Sequence, residues 1–466
     1  MRKDKEQQRI DFPSPLEELG QPNRLTPPSG TGGMMEGVEL FSRLENQRTL
    51  TANLLDKIVD YDNLAKAHQR VVSNRGSSGV DKMEVEELGL WLNTHLDILR
   101  TALLTDQYQV SAVRKVEIPK PTGGVRVLGI PTVKDRYIQQ AISQKLSLYY
   151  DPHFSDYSYG FRPGRSAHDA ICQASVYVQS GKEWVVDIDL EKFFDKINHD
   201  RLMQRLSKGI GDKRLLRLIN AYLKAGLLAE GLEEQRTTGT PQGGPLSPLL
   251  SNIVLDELDK ELESRGHSFC RYADDCNIYV SSKAAGERVL ASITKFIEKK
   301  LKLKVNSSKS GVRHCSDTNF LGYTLLSGGG TRVSDNSVKR LKDKIREITQ
   351  RSRGISLYEV IKEMNRVIIG WTNYFRLANK WLGEINNVES WLRRKLRCYK
   401  LKQCGRRYTI VKYLMGLGAA ETPSWNAVMY SQGWWVLCGK VVVSKSMGVN
   451  WFTQQGLQSL SKRMHG

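Results

Sequence analysis

No apolar run in this 466-residue chain approaches the ~20 residues needed to cross a bilayer, so a membrane-spanning class is not expected. The first residues, Met1-Arg2-Lys3-Asp4-Lys5, are charged and lead into no apolar segment, so no secretory signal is expected either. The seven cysteines (Cys172, Cys270, Cys276, Cys315, Cys398, Cys404 and Cys438) are odd in number and contain no Cys-x-x-Cys pair. That spacing argues against a disulfide framework and a zinc finger, and it fits a reducing, cytoplasmic setting. Acidic residues are scarce towards the C-terminus. From Thr331 to Gly466 there are 25 Lys and Arg against 8 Asp and Glu, while the first 330 residues hold the other 45 and 42. The formal charge of +20 is therefore concentrated in the last third, which also carries seven of the nine tryptophans. Cations interleaved with flat rings are what a nucleic-acid surface needs, one for phosphates and the other for bases. A solvated basic face over an aromatic core reads equally well from charge alone.

The most informative segment is Tyr272-Ala273-Asp274-Asp275. Two adjacent carboxylates lie between Cys270-Arg271 and the apolar run Cys276 to Val280, a pattern that predicts the tip of a β-hairpin. Adjacent anions repel, and a bound cation would remove that repulsion. Hard oxygen ligands suit Mg²⁺, which is commonly held by one or two carboxylates together with substrate phosphates. A second apolar strand, Val185-Val186-Asp187-Ile188-Asp189-Leu190, carries two more carboxylates. Neighbouring strands with such groups could hold the two ions, about 4 Å apart, that polymerase chemistry uses.

Along the chain, residues 1–37 are rich in Pro, Gly, Ser and charge and read as a flexible leader. Residues 38–107 form a helical N-terminal extension interrupted at Asn74-Arg75-Gly76-Ser77-Ser78-Gly79. Residues 108–326 mix strands and helices in an α+β order, with a hairpin around Pro119 to Gly124 and helices over Val133–Tyr150 and Pro248–Glu263. Ser327-Gly328-Gly329-Gly330 reads as a linker, 331–403 as helical, and 404–466 as a basic, aromatic C-terminal region open to a DNA-binding role.

At this point the chain resembles the reverse transcriptases, and most closely the group II intron reverse transcriptase/maturase family. Tyr272 to Asp275 looks like the catalytic hairpin of that family, and Val186 to Asp195 like its first catalytic strand. The blocks Val116 to Pro131, Tyr159 to Ser166, Thr240 to Leu250, Leu303 to Lys309 and Phe320 to Tyr323 follow in the family's order. Ile369 to Phe375 and Trp391 to Arg397 resemble the maturase domain, or thumb. The resemblance implies a right-hand polymerase with fingers and a ferredoxin-like palm, followed by an α-helical thumb. It implies a catalytic and metal-binding triad of Asp189, Asp274 and Asp275 with two Mg²⁺ ions, Asp187 being the lesser candidate.

Each block has a physical reading beside the resemblance. Lys120 and Arg126 on the fingers hairpin could clamp a deoxynucleoside triphosphate. Phe193 could lie under the sugar and exclude a 2′-hydroxyl. Gln242 and Lys309 complete the expected nucleotide contacts. Gly243 and Gly244 would let the backbone approach nucleic acid closely. Arg162 and Arg165 suggest contacts to template phosphates, and Arg393, Arg394, Lys395 and Arg397 a cationic helix face along a duplex or intron RNA. The tail lacks the paired cysteines and histidines of an HNH endonuclease and so resembles the members without one. The expected partners are group II intron RNA, an RNA template with a DNA primer, target DNA and dNTPs. The expected work is RNA-directed DNA synthesis, help with splicing, and retrohoming by target-primed reverse transcription. The alternatives are a reverse transcriptase domesticated for phage defence or CRISPR adaptation, and a splicing cofactor with little polymerase use.

Overall fold

The computed structural model describes residues 51–119, 125–229, 232–234, 238–240, 243–380 and 382–465. The leader at 1–37, Lys120 and Gln242 lie outside the described residues, as does the side chain of Arg126. The strands in chain order are β1 (Val113–Pro119), β2 (Val125–Ile130), β3 (Trp184–Ile188), β4 (Leu227–Ala229), β5 (Leu232–Glu234), β6 (Ser268–Tyr272), β7 (Asp275–Val280), β8 (Gly311–His314), β9 (Tyr323–Leu325) and β10 (Thr331–Val333). The chain divides into two units. The first comprises residues 1–166, 188–276 and 288–311, and the second 167–187, 277–287 and 312–466.

In the first unit, β1 and β2 pair antiparallel from Arg114↔Ile130 to Pro119↔Val125, and the sheet runs β2-β1-β4-β5. Burial falls along β1 from Val113 to an exposed Pro119, and Ile118 and Val125 at the same end of the strand pair are exposed, so this end stands clear of the base of the sheet. The helix Val133–Tyr150 follows immediately. Thr132 caps it by accepting from the Asp135 N–H, and the Asp135 carboxylate accepts from Thr132 Oγ1 (2.6 Å) and the Tyr108 hydroxyl (2.9 Å). Burial raises the Asp135 carboxyl above the usual range, and those two hydroxyls oppose the shift. Ile138, Ala141, Ile142 and Leu146 fix the buried face of this helix. The helix Ser247–Ser264 has Pro248 in its first turn, where the missing N–H costs nothing. It buries Asn252, Asp256 and Asp259 among its leucines. Polar groups survive there only with partners: Asp256 pairs with Arg205 and Lys260, each at 2.7 Å, and the partners of Asn252 and Asp259 build the site described below.

In the second unit, β7, β3 and β8 are neighbours in that order. The Asp187 carboxylate on β3 lies 3.3 Å from Arg313 on β8, a strand-to-strand ion pair. The stretch Ser327 to Gly330, expected as a linker, instead turns a hairpin. β10 pairs back on β9 through Thr331↔Leu325 and Val333↔Tyr323. Gly329 is buried, and a Cβ there would stand 2.3 Å from Gln179 Cγ, so the glycines serve a tight packed turn. The helices Asp335–Ile348, Leu357–Tyr374 and Leu382–Cys404 follow, with Leu341, Met364, Leu392 and Leu396 in their core. Short helices from Arg407 to His465 continue the same unit. The last of these is tied down by Glu389, which accepts from Ser461 N (3.0 Å) and Oγ (2.9 Å), and by Arg463, which donates to Thr372 Oγ1 (3.1 Å). Among the described residues no helix is long and apolar enough to cross a membrane.

Candidate active site

β6 and β7 are joined by the turn Ala273-Asp274, which puts the aspartate pair at a hairpin tip. Ala273 sits at φ 59°, in the left-handed region that a non-glycine residue rarely occupies. Its neighbour Arg271 is fully buried and holds the turn in that shape. The guanidinium has five N–H groups, and all five find acceptors. Nε and Nη2 grip the Asp259 carboxylate at 2.7 and 2.5 Å. Nη1 donates to Asn252 Oδ1 (2.9 Å) and to the Ala273 carbonyl (2.8 Å), and Nη2 to Ser158 Oγ (2.7 Å). Asn252 in turn donates to the Gly160 carbonyl at 2.9 Å. Burial pushes the Asp259 carboxyl up from the usual range. It opposes the Arg271 charge as well, but there the facing carboxylate prevails and the pKa is raised. Gly160 completes the packing. A Cβ on it would stand 2.2 Å from the Ala273 nitrogen, so the two backbones meet directly.

Asp274 opens into a cleft of about 570 Å³, within the range of small-molecule sites. Gly243, Gly244, Phe161, Phe194 and Arg136 line the same cleft. Gly243 has φ 140°, and a Cβ there would lie 2.6 Å from the Gly129 carbonyl oxygen; one on Gly244 would lie 2.3 Å from Gln139 Oε1. Gly243 is thus sterically required, while a side chain at Gly244 would displace the end of Gln139, and the two leave backbone facing the cleft. Phe193, expected to stack under a sugar, does not face it. Lys192 at φ 50° turns the chain into the short helix Phe193–Lys196, which buries Phe193 to 2% exposure, its ring edge-on to Phe194 with centroids 5.3 Å apart. Of the two, Phe194 lines the cleft.

Asp189 lies just past β3 and is anchored by the segment 304–310. Its N–H donates to Ser310 Oγ (2.9 Å), and its carbonyl accepts from the Asn306 N–H (2.8 Å). Its carboxylate accepts from Asn306 Nδ2 (2.9 Å) and lies 3.3 Å from Lys309 Nζ, which brings Lys309 to the expected site. Asp275 is exposed. Among the described residues no group of three or more His, Cys, Asp or Glu side chains is arranged to hold a metal ion. The three aspartates are therefore not gathered into a ready cage, and Asn306 and Lys309 already engage the Asp189 oxygens. The donors nonetheless fit magnesium in kind. They are hard carboxylate oxygens, and Mg²⁺ completes its shell with water and substrate phosphates instead of an all-protein cage.

The expected nucleic-acid contacts fare differently. Arg162 is turned inward: Nε pairs with Asp151 at 2.7 Å, and its other nitrogens donate to the carbonyls of Ser155 (2.5 Å), Ser158 (3.0 Å) and Asp151 (2.8 Å). It braces the loop beside Gly160 and cannot also reach a template. Arg165 is half-buried, pairs with Asp156 at 2.5 Å and lies over the Tyr159 ring. The expected open cationic face at 393–397 is half-buried and already engaged within the protein. Arg393 pairs with Glu389 at 2.8 Å, and Arg394 donates to the Trp435 carbonyl (2.8 Å) with its guanidinium 4.1 Å from that ring centre. Lys395 lies between Trp391 and Trp435, and Arg397 donates to the Met447 carbonyl at 3.0 Å. Burial lowers the Arg397 pKa, with Arg393 adding to the effect.

Sequence reading missed the network behind the turn. A signal was present, since Asn252, Asp256 and Asp259 recur at helical spacing on a leucine-rich helix and Arg271 interrupts an apolar strand. Buried charges on both elements imply that they meet.

Residues 118–325 match the family described as reverse transcriptase (RNA-dependent DNA polymerase), and residues 338–414 the one described as group II intron, maturase-specific domain. The chain is similar to Protein YkfC of Escherichia coli (strain K12), 34% identical over 314 residues covering 59% of this chain and 82% of YkfC. It is similar to group II intron-encoded protein LtrA of Lactococcus lactis subsp. cremoris, 29% identical over 360 residues, and the match covers 60% of each chain. A solved structure of telomerase from Candida albicans aligns with a TM-score of 0.40 at 14% identity, covering 70% of this chain and 65% of that one.

Removing the Asp259 carboxylate strands a buried guanidinium. Asp259→Ala is expected to lower the unfolding free energy by about 3–5 kcal/mol, measured by urea denaturation. The apolar double variant Asp259→Leu/Arg271→Met is expected to lose less than the single one. A double variant that loses the sum of its two single losses would show that the side chains act independently.

Proposed function

The chain belongs to the group II intron reverse transcriptases, RNA-directed DNA polymerases with a maturase-specific domain, and from that premise we propose that it copies RNA into DNA at the cleft bounded by Asp274. The observation that carries this reading is the projection of Asp274, from a turn braced by a buried arginine, into a cleft floored by Gly243-Gly244. Bound magnesium would lower the pKa of a primer 3′-hydroxyl and neutralise the leaving pyrophosphate, with Asp189, Asp274 and Asp275 as its protein ligands. The protein's own residues supply position. The Arg271 network fixes the hairpin tip, so its carboxylates need not reorganise during the reaction. Backbone at Gly243 and Gly244 allows a base pair to lie close to the chain. Phe194 takes the role expected of Phe193, standing where a 2′-hydroxyl would enter. Lys120 and Arg126 clamp the triphosphate, and Lys309 holds Asp189 until nucleotide and metal arrive.

The maturase-specific domain binds intron RNA. We assign the phosphate contacts to cations exposed near the end of the Leu382–Cys404 helix and beyond it, namely Lys402, Arg406 and Arg407, beside the exposed ring of Tyr408. Those at 393–397 brace the C-terminal helices instead. Splicing assistance and mobility by target-primed reverse transcription complete the proposal.

Three measurements test it. Wild-type protein is expected to extend oligo(dT) on poly(rA) with Mg²⁺, to stop when EDTA removes the metal, and to lose about a thousandfold or more in rate as Asp274→Ala. No extension by the wild type would sink the polymerase reading. Phe194→Val is expected to relax discrimination against ribonucleotides by about tenfold or more, while Phe193→Val mainly lowers the melting temperature; the reverse pattern would return the role to Phe193. The triple variant Lys402→Ala/Arg406→Ala/Arg407→Ala is expected to bind the flanking intron RNA more weakly, with a shallower salt dependence, and to support less splicing at near-physiological Mg²⁺. Unchanged affinity and salt slope would remove the RNA face from this position.

A further inference from the structure

Arg136 lines the cleft into which Asp274 opens, yet the polymerase reading assigns it no role. It is 9% exposed, and its Nε and Nη2 find no acceptor among the described residues. The two other buried arginines of this unit behave differently, since Arg271 satisfies five N–H groups and Arg162 makes four hydrogen bonds. Two guanidinium nitrogens kept from water without acceptors are costly, and a chain selected for stability alone would replace the side chain with an apolar one. Burial also pulls its pKa below the ordinary value, and the nearby charges of Asp81 and Glu84 offset that only in part.

The surroundings are shaped to keep it there. Arg136 follows the first turn of the Val133–Tyr150 helix, behind the Thr132 cap. At Gly76 a Cβ would stand 2.2 Å from Arg136 Nη1, so the absence of a side chain gives the guanidinium its space. Phe161, at φ 61° and 51% exposed, lines the same cleft. The cleft thus brings together an arginine, aromatic rings, bare backbone and a carboxylate. A guanidinium fork matches paired phosphate oxygens, and a ring matches a base.

We propose that Arg136 binds a phosphate group of a nucleotide held in this cleft, supplied by the incoming triphosphate or by the template backbone. The choice of source rests on the polymerase reading; the phosphate-binding role does not.

The test uses the full chain with Arg136→Met and Arg136→Gln. Thermal unfolding is measured without ligand, the KM for dTTP on poly(rA)/oligo(dT), and the affinity for that duplex without nucleotide across a salt series. At least one variant is expected to melt no lower than wild type, because it removes a stranded cation. Its affinity for one ligand is expected to fall on the order of tenfold. A raised KM with intact duplex affinity assigns the triphosphate. Weaker duplex binding with a salt slope shallower by about one assigns the template backbone. Unaltered KM and duplex affinity in a variant that melts like wild type overturn the proposal. Lower melting temperatures in both variants also overturn it, since they mark a structural guanidinium. A wild type that binds the duplex but incorporates no dTTP sinks the polymerase reading, and the duplex measurement still decides the role of Arg136.

Discussion

The ion pair between Arg271 and Asp259 is where the turn that carries the aspartate pair meets the stability of the fold. Two adjacent carboxylates on a hairpin tip repel, and Ala273 between the strands takes up a backbone conformation that sterics disfavour. A turn of that kind relaxes unless something over-determines it. Here a buried cation does so by bonding the Ala273 carbonyl directly while its remaining N–H groups are taken up by Asp259, Asn252 and Ser158. The pair stabilises the fold weakly if at all compared with an apolar replacement, because both ions gave up water. What it contributes is a single geometry for the two residues that follow it.

Around that fixed point the chain uses glycine at close approaches, to backbone at two positions and to a side chain at a third. Gly160 meets the Ala273 turn, Gly243 meets Gly129, and Gly76 makes way for Arg136. These approaches come from three separate segments, and each removes a side chain where a cleft wall or a buried polar group needs the space. Charge follows a parallel logic in the second unit. Most of the excess cations lie there, but several of the densest cluster are spent on protein carbonyls and tryptophan rings, so net charge overstates the cationic surface offered to RNA.

Much of this was legible in the sequence. The hairpin at Asp274, the strand at Val185 and the helices from Val133 and Pro248 were each read from apolar periodicity and flanking turns, within a residue or two of where they stand. The motif blocks were legible because their order along the chain identifies them as much as their residues do. Other features were hidden for definite reasons. A cation's partner is not written beside it: Arg394 and Arg397 are covered by residues about 40 to 50 positions later. Phe193 and Phe194 are chemically alike, and a single left-handed residue before them decides which one faces the cleft. The Ser327 to Gly330 stretch has linker composition, yet its glycines serve a packed turn.

The braces on the aspartate turn come from near and far in the chain. Ser158 and Arg271 are separated by 113 residues, and the helix bearing Asn252 and Asp259 lies between them. Closing a loop of that length costs entropy that the nearer contacts do not carry. Asp259 and Asn252 precede Arg271 by only 12 and 19 residues, so most of the brace is assembled within one helix and the hairpin after it. A chain emerging from the ribosome would carry Ser158 well before Arg271 exists to bind it, and the last brace would close only once the hairpin had been made.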